Sequence, residues 1–234
     1  MKKKKLLALF FVFGFLVFLF FCFFVSKYYL VERISVRFQR GYQVAGFLPY
    51  WTVNKNLSLK YDLLDQIIYF SFDFNEEGNL SFFDKAQEQT PANIFNGKKF
   101  DEIYHEARIH ETKVLIAITC FDRDLLAEVL FDEEKVEKLT NQIVDLVSQK
   151  NLDGVNVDFE FESGTSEITE QDFANFIEVL SYKLKEVKPE VILSADFYAD
   201  AEINNYPYDF ELLDEYLDQF FVMTYDYHRR ASEF

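Results

Sequence analysis

The sequence predicts a parallel α/β fold, either a doubly wound sheet or an incomplete (β/α)8 barrel of the TIM type with about six strands, behind an N-terminal transmembrane helix. Three observations carry this. Short β-rich apolar runs alternate with helix-period segments from Val44 onward. No repeat, low-complexity tract or Gly/Ser/Pro linker divides residues 44–234. A closed barrel takes about 250 residues, whereas 191 residues follow position 43 and the sequence stops at Ser232-Glu233-Phe234, just past the last strand, so a C-terminal truncation is expected.

The predicted strands are Val44–Tyr50, Gln66–Phe72, Lys113–Thr119, Gly154–Phe159, Val191–Phe197 and Phe220–Tyr225. Between them, Phe100–Glu111 has helical spacing. Glu133–Lys150 puts Val136, Leu139, Ile143, Leu146 and Val147 on one helical face, and Glu170–Lys188 does the same with Phe173, Phe176, Ile177, Leu180, Leu184 and Val187. Thr169 is a good N-cap for the latter and Pro189 follows its end. Tyr208–Asp218 is a further short helix.

Leu6–Val25 is 20 consecutive residues drawn only from Leu, Ala, Phe, Val, Gly and Cys, preceded by Lys2 to Lys5. At about 1.5 Å per residue such a helix spans roughly 30 Å, a bilayer core. The stretch exceeds the length of a usual signal-peptide core and no small-x-small cleavage site follows before Tyr28, so residues 1–25 are expected to be an uncleaved signal-anchor. Lys27, Arg33, Arg37 and Arg40 beyond the span nearly balance the four lysines before it. The compact lysine cluster favours a single-pass protein with its N-terminus inside and its domain extracytoplasmic; cleavage of the leader would make it secreted. Residues 26–43 are expected to form a basic juxtamembrane linker and 44–234 a single folded domain.

The chain carries 24 basic and 40 acidic residues, a net charge of −16, with 50% apolar and 27% charged residues, which rules out disorder throughout. Eight of the basic side chains precede residue 44, leaving the rest at about −23. A field of that sign repels phosphate backbones, so no nucleic acid partner is expected. Cys22 and Cys120 supply neither an intrachain disulfide framework nor a Cys-rich metal site.

The fourth strand carries the chemistry. In Leu152-Asp153-Gly154-Val155-Asn156-Val157-Asp158-Phe159-Glu160-Phe161-Glu162, alternation puts Asn156, Asp158, Glu160 and Glu162 on one face and the apolar residues on the other. Like charges one strand repeat apart cannot all stay ionised without raising at least one pKa. A carboxyl held protonated near neutral pH is what a glycosidase general acid requires, and the C-terminal rim of a parallel barrel is where it belongs.

Leu152–Glu160 is similar to the D-G-x-D-x-D-x-E signature of glycoside hydrolase family 18, the chitinase-like family, and Met223-Thr224-Tyr225-Asp226 resembles the family's M-x-Y-D segment on its sixth barrel strand. Gly46–Trp51 and Ile67–Phe74, followed by Gly78, are weaker echoes of its first two strands. The resemblance spans residues 44–234 and selects the barrel. It implies Glu160 as general acid and later base, Asp158 as the group that orients the substrate's own N-acetyl nucleophile, and Tyr225 as a hydrogen-bond donor to that acetyl carbonyl. It implies Asp226, Met223 and Asn156 as further parts of the sugar site. The outcome would be retention of configuration by substrate assistance, without metal or cofactor. Asp153 and Gly154 are read as structural, Asp153 fixing the strand end. Trp51 is a candidate sugar-stacking platform, with core packing as the alternative, and Asp196 could face the cleft.

Three departures from the family pattern stand out. Asn156 replaces the family's usual Asp and removes a titratable partner beneath Asp158; peptidoglycan- and spore-cortex-directed bacterial relatives look similar here, and a changed pH profile is expected. The third strand, Leu115–Cys120, lacks the family's small S-x-G-G residues. Strands seven and eight are missing, with the aromatic residue that lies under the scissile sugar. The expected protein is a monomeric, membrane-anchored glycosidase cleaving β-1,4 bonds next to N-acetylglucosamine, in chitin-like oligomers or peptidoglycan. The alternative is a non-catalytic, chitinase-like carbohydrate-binding protein or an inactive fragment.

Overall fold

Six parallel strands, hydrogen-bonded in their chain order, build the sheet: β1 (Ala45–Pro49), β2 (Gln66–Phe72), β3 (Lys113–Cys120), β4 (Gly154–Phe159), β5 (Ile192–Tyr198) and β6 (Gln219–Met223). The structure, a computed structural model, describes residues 15, 17–23, 41–55, 57–81, 90–161, 167–201, 203–204 and 206–225. A doubly wound sheet reverses its strand order at a switch point; this order never reverses, which removes that alternative. Six strands are two fewer than a closed (β/α)8 barrel, so the described residues form an incomplete TIM-type barrel.

Contacts divide the chain into residues 1–44 and 45–234. Of the predicted span Leu6–Val25, residues 15 and 17–23 are helical, and the rest of it lies outside the described residues. Among the described residues no helix is long and apolar enough to cross a membrane.

Local chemistry explains the helices. The helix Arg123–Leu130 starts at Asp122 and the helix Glu133–Lys150 at Asp132, each carboxylate accepting two backbone N–H groups of the first turn. Glu133–Lys150 stops at Asn151, which takes the left-handed conformation at φ 50°. Glu170–Val187 opens on a reciprocal capping box between Thr169 and Asp172. Two shorter helices, Tyr50–Val53 and Pro91–Phe95, and the helix Lys98–Ile109 complete the connections that precede β3. The predicted helix Tyr208–Asp218 contracts to Phe210–Leu213, capped by Asp209.

Strand alternation separates two apolar layers. Val155, Val157 and Phe159 of β4 join Leu193, Ala195 and Phe197 of β5 in the large core between sheet and helices. Ile68, Leu115, Ala117 and Ile192 form a small cluster of their own, with Ala45, Phe70 and Phe221 against it. Those residues take the opposite parity of each strand, so they fill the foot of the barrel interior. Gly154 begins β4 on that inner face, where a Cβ would collide with the Ile192 carbonyl oxygen and sit 2.9 Å from Leu115 Cδ2. The Gly154→Ala variant is therefore expected to lose about 1–3 kcal/mol of stability, read as a lower midpoint in thermal unfolding followed by circular dichroism.

Candidate active site

Above that apolar foot the inner face becomes polar. Asn156, Asp158 and, one residue past the strand end, Glu160 rise along β4. Ser194, Asp196 and Tyr198 rise along β5, and the ladder pairs Asn156 with Ser194. On the other side Asp158 pairs with Thr119 of β3, whose hydroxyl is 2.9 Å from that of Ser71. Among the described residues, β4 and β5 thus bring three carboxyl groups, Asp158, Glu160 and Asp196, to the inner face near the rim formed by the C-terminal strand ends.

Their environments differ. Asp158 is 5% exposed, and its Oδ1 has no hydrogen-bond partner among the described residues. Burial, then the charges of Asp196 and Glu160, push its carboxyl up to about 8. Asp196, also 5% exposed, accepts a hydrogen bond from Asn156 Nδ2 at 3.0 Å. Burial raises it to about 6, with the Asn156 bond opposing and Glu160 adding to the rise. Glu160 is half-buried and accepts a 3.0 Å hydrogen bond on Oε2 from the Tyr198 hydroxyl. Burial and the adjacent Glu160 raise the Tyr198 phenol well above its ordinary 10, so it remains a donor. Tyr206 stacks on Tyr198 with ring centroids 4.7 Å apart.

The remaining predicted residues are spread around this group. Asp153 is not at the rim: at the N-terminal foot of β4 its Oδ1 pairs with Arg108 at 2.9 Å and Lys188 at 3.4 Å, while Oδ2 accepts the Val114 N–H at 2.8 Å. Met223 ends β6 in register with Tyr198. Tyr225 was expected on the sixth strand, but β6 ends at Met223, where its β5 partner also ends, and Tyr225 follows it 67% exposed. Trp51 sits on the short helix just after β1, half-exposed, packed edge-on against Tyr50 and Phe70. Asp226 and Glu162 lie outside the described residues.

The family profile of Glycosyl hydrolases family 18 matches residues 43–234, most of the chain. The chain belongs to glycosyl hydrolase family 18. It is also 31% identical over 115 residues to the uncharacterized glycosylase YvbX of Bacillus subtilis, covering 48% of this chain and 33% of that protein. Among solved structures, the family 18 chitinase of Cycas revoluta in complex with allosamidin superposes with a TM-score of 0.63 at 18% identity, over 80% of this chain and 56% of that one. The Bacillus cereus spore cortex-lytic enzyme SleL superposes with a TM-score of 0.58 at 16% identity, over 79% and 41%. At those identities the superpositions establish the shared barrel fold. The chain spans a third of the length of YvbX and about half of the two solved structures.

The family motif identified the β4 residues, but Tyr198 and Tyr206 carry no motif. The available signal for Tyr198 was parity: Ser194, Asp196 and Tyr198 alternate along β5 as Asn156, Asp158 and Glu160 do along β4.

Proposed function

We propose that this family 18 chain is a glycosidase that hydrolyses β-1,4 bonds next to N-acetylglucosamine, in chitin-like oligosaccharides or peptidoglycan, with retention and substrate assistance. The observation that carries the reading is the pair Asp158 and Glu160, one strand repeat apart at the barrel rim, the first buried with an unpartnered oxygen among the described residues, the second half-exposed beside a phenol donor.

Glu160 donates its proton to the glycosidic oxygen as the C1–O bond breaks. The substrate's acetamido carbonyl oxygen attacks C1 from the opposite face and forms an oxazolinium ion. Asp158 accepts the acetamido N–H and stabilises the positive charge that develops there. The Glu160 carboxylate then takes a proton from water as that water attacks C1, reopening the ring with the original configuration. Tyr198 holds Oε2 of Glu160, leaving Oε1 to carry the transferred proton. In this reading Tyr225 donates to the acetyl carbonyl, Asp226 and Met223 shape the same subsite, and the exposed face of Trp51 stacks on a sugar. No step needs a metal or cofactor. Residues 1–25 anchor the protein as a single-pass span with the catalytic domain extracytoplasmic, and the basic residues 26–43 connect the two.

Because the nucleophile belongs to the substrate, the full chain in detergent is expected to cleave an N-acetylglucosamine oligomer and leave the fully de-N-acetylated oligomer intact, followed by chromatography of products. Equal cleavage of both would contradict substrate assistance.

A further inference from the structure

The carboxyl group that Asn156 does not provide on β4 is present on β5. The β4–β5 ladder ends with Asn156 opposite Ser194 and Val157 opposite Ala195. Asp158 and Asp196 are the next residue on each strand, on the same inward face, where neighbouring strands run about 4.8 Å apart. Both are 5% exposed. Asn156 lies beneath them and donates from Nδ2 to Asp196 Oδ1 at 3.0 Å and to Ser194 Oγ at 3.2 Å. Its own Oδ1 and Asp158 Oδ1 are both buried without a partner among the described residues.

We infer that Asp196 is a positioning residue for the proposed glycosidase: with Asn156 as the bridge, it forms a buried dyad with Asp158 that holds one proton between two strands. The inference rests on the glycosidase reading for its consequence, while the dyad itself rests on the packing.

Two buried carboxyls on adjacent strands whose charges act on one another disfavour ionising together near neutral pH. The amide hydrogen bond stabilises charge on Asp196, so the proton resides on Asp158. The directions agree, with Asp158 pushed up to about 8 and Asp196 to about 6. Among the described residues, the other titratable groups that act on the pair are Glu160 at the end of β4, Tyr198 on β5 and Tyr208 from the segment after β5, with Tyr206 beside the two tyrosines. The partners in register from the flanking strands, Thr119 of β3 and Phe221 of β6, do not titrate. Asp158 must accept the acetamido N–H as positive charge forms, so its proton has to move, and the ionised Asp196 on the neighbouring strand is the group that takes it. Asp196 sets how tightly the proton is held and therefore where in pH the site works.

The test uses full chains in detergent: wild type, Asp196→Asn, and the double variant Asn156→Asp with Asp196→Asn, which returns the carboxyl to β4. Carbon-13 carboxyl NMR, with Asp158 assigned by its loss in Asp158→Asn, reads the dyad directly, and kcat and KM on chitotetraose from pH 4 to 9 read its consequence. In Asp196→Asn the Asp158 titration is expected to fall by about one pH unit, the acidic limb of the activity profile to move to lower pH with it, and kcat to drop about tenfold with KM changed less than about twofold. The double variant restores the high titration and most of kcat, which a purely structural role would not allow. An Asp158 titration unmoved in Asp196→Asn, or a kcat loss with an unchanged pH profile and no rescue, would overturn the inference. A wild type that cleaves nothing would overturn the hydrolytic reading alone, and the carboxyl titration would still decide the dyad.

Discussion

Replacing Glu160 with Gln should reduce hydrolysis of an N-acetylglucosamine oligomer by about 10³-fold or more while leaving oligomer binding within a few-fold of wild type. The amide keeps the shape of the side chain and still accepts the Tyr198 hydroxyl hydrogen bond on its carbonyl oxygen. It cannot protonate the glycosidic oxygen, and it cannot take a proton from water in the second half of the reaction. Both halves fail, whereas the contacts that hold the sugar remain. Reducing-end release measures the first effect and isothermal calorimetry the second. Undiminished turnover in this variant would remove Glu160 from the chemistry. A wild type that binds the oligomer as tightly as Glu160→Gln but turns nothing over would identify a carbohydrate-binding protein.

Asp158→Asn separates catalysis from stability. Turnover should fall by roughly 10²-fold or more, because an amide cannot balance the charge on the oxazolinium nitrogen. Stability should change in the opposite direction. The unfolded chain holds this carboxyl near 3.8, whereas the folded site holds it near 8. Between about pH 4 and 8 the folded state binds a proton that the unfolded state lacks, so this group makes stability fall as pH rises through that window. Asn has no such slope. The variant should therefore gain most over wild type at pH 8, with a Tm higher by roughly 5 °C, and the gain should shrink toward pH 4. Thermal unfolding at pH 4, 6 and 8 measures it. A variant less stable than wild type at pH 8, or a gain independent of pH, would contradict the buried, proton-holding Asp158. A near-normal rate would argue against substrate assistance.

The parts legible in the sequence are those decided by neighbouring residues. The β4 run reads correctly from Gly154 to Phe159 because its apolar and polar residues alternate without interruption. The helix Glu133–Lys150 reads correctly because Asp132 and Asn151 cap it at both ends. The helices Arg123–Leu130 and Pro91–Phe95 were not predicted, although Asp122, and Thr90 before Pro91, are ordinary start signals; each is too short to establish a periodicity. The β6 run looks extended through Tyr225, but a strand lasts only while its neighbour offers hydrogen bonds, and β5 stops at Tyr198. The same limit hid half the site. One strand's alternation shows which residues share a face, but that Asp196 meets Asn156 and that Tyr198 reaches Glu160 depends on the register between β4 and β5. The like charges of the β4 row contribute to the rise at Asp158, but burial is the larger cause, and it raises Asp196 of β5 as well, a residue outside that row.

The most direct test of the central claim is proton NMR of the full chain in detergent acting on chitotetraose, recorded before the products mutarotate. Attack by the substrate's own acetamido oxygen, with Glu160 as acid and base and Asp158 holding the acetamido N–H, predicts that the new reducing end appears first as the β-anomer, with the α-anomer growing only as mutarotation proceeds. An α-anomer formed first would contradict the mechanism, and no new reducing end at all would contradict the glycosidase.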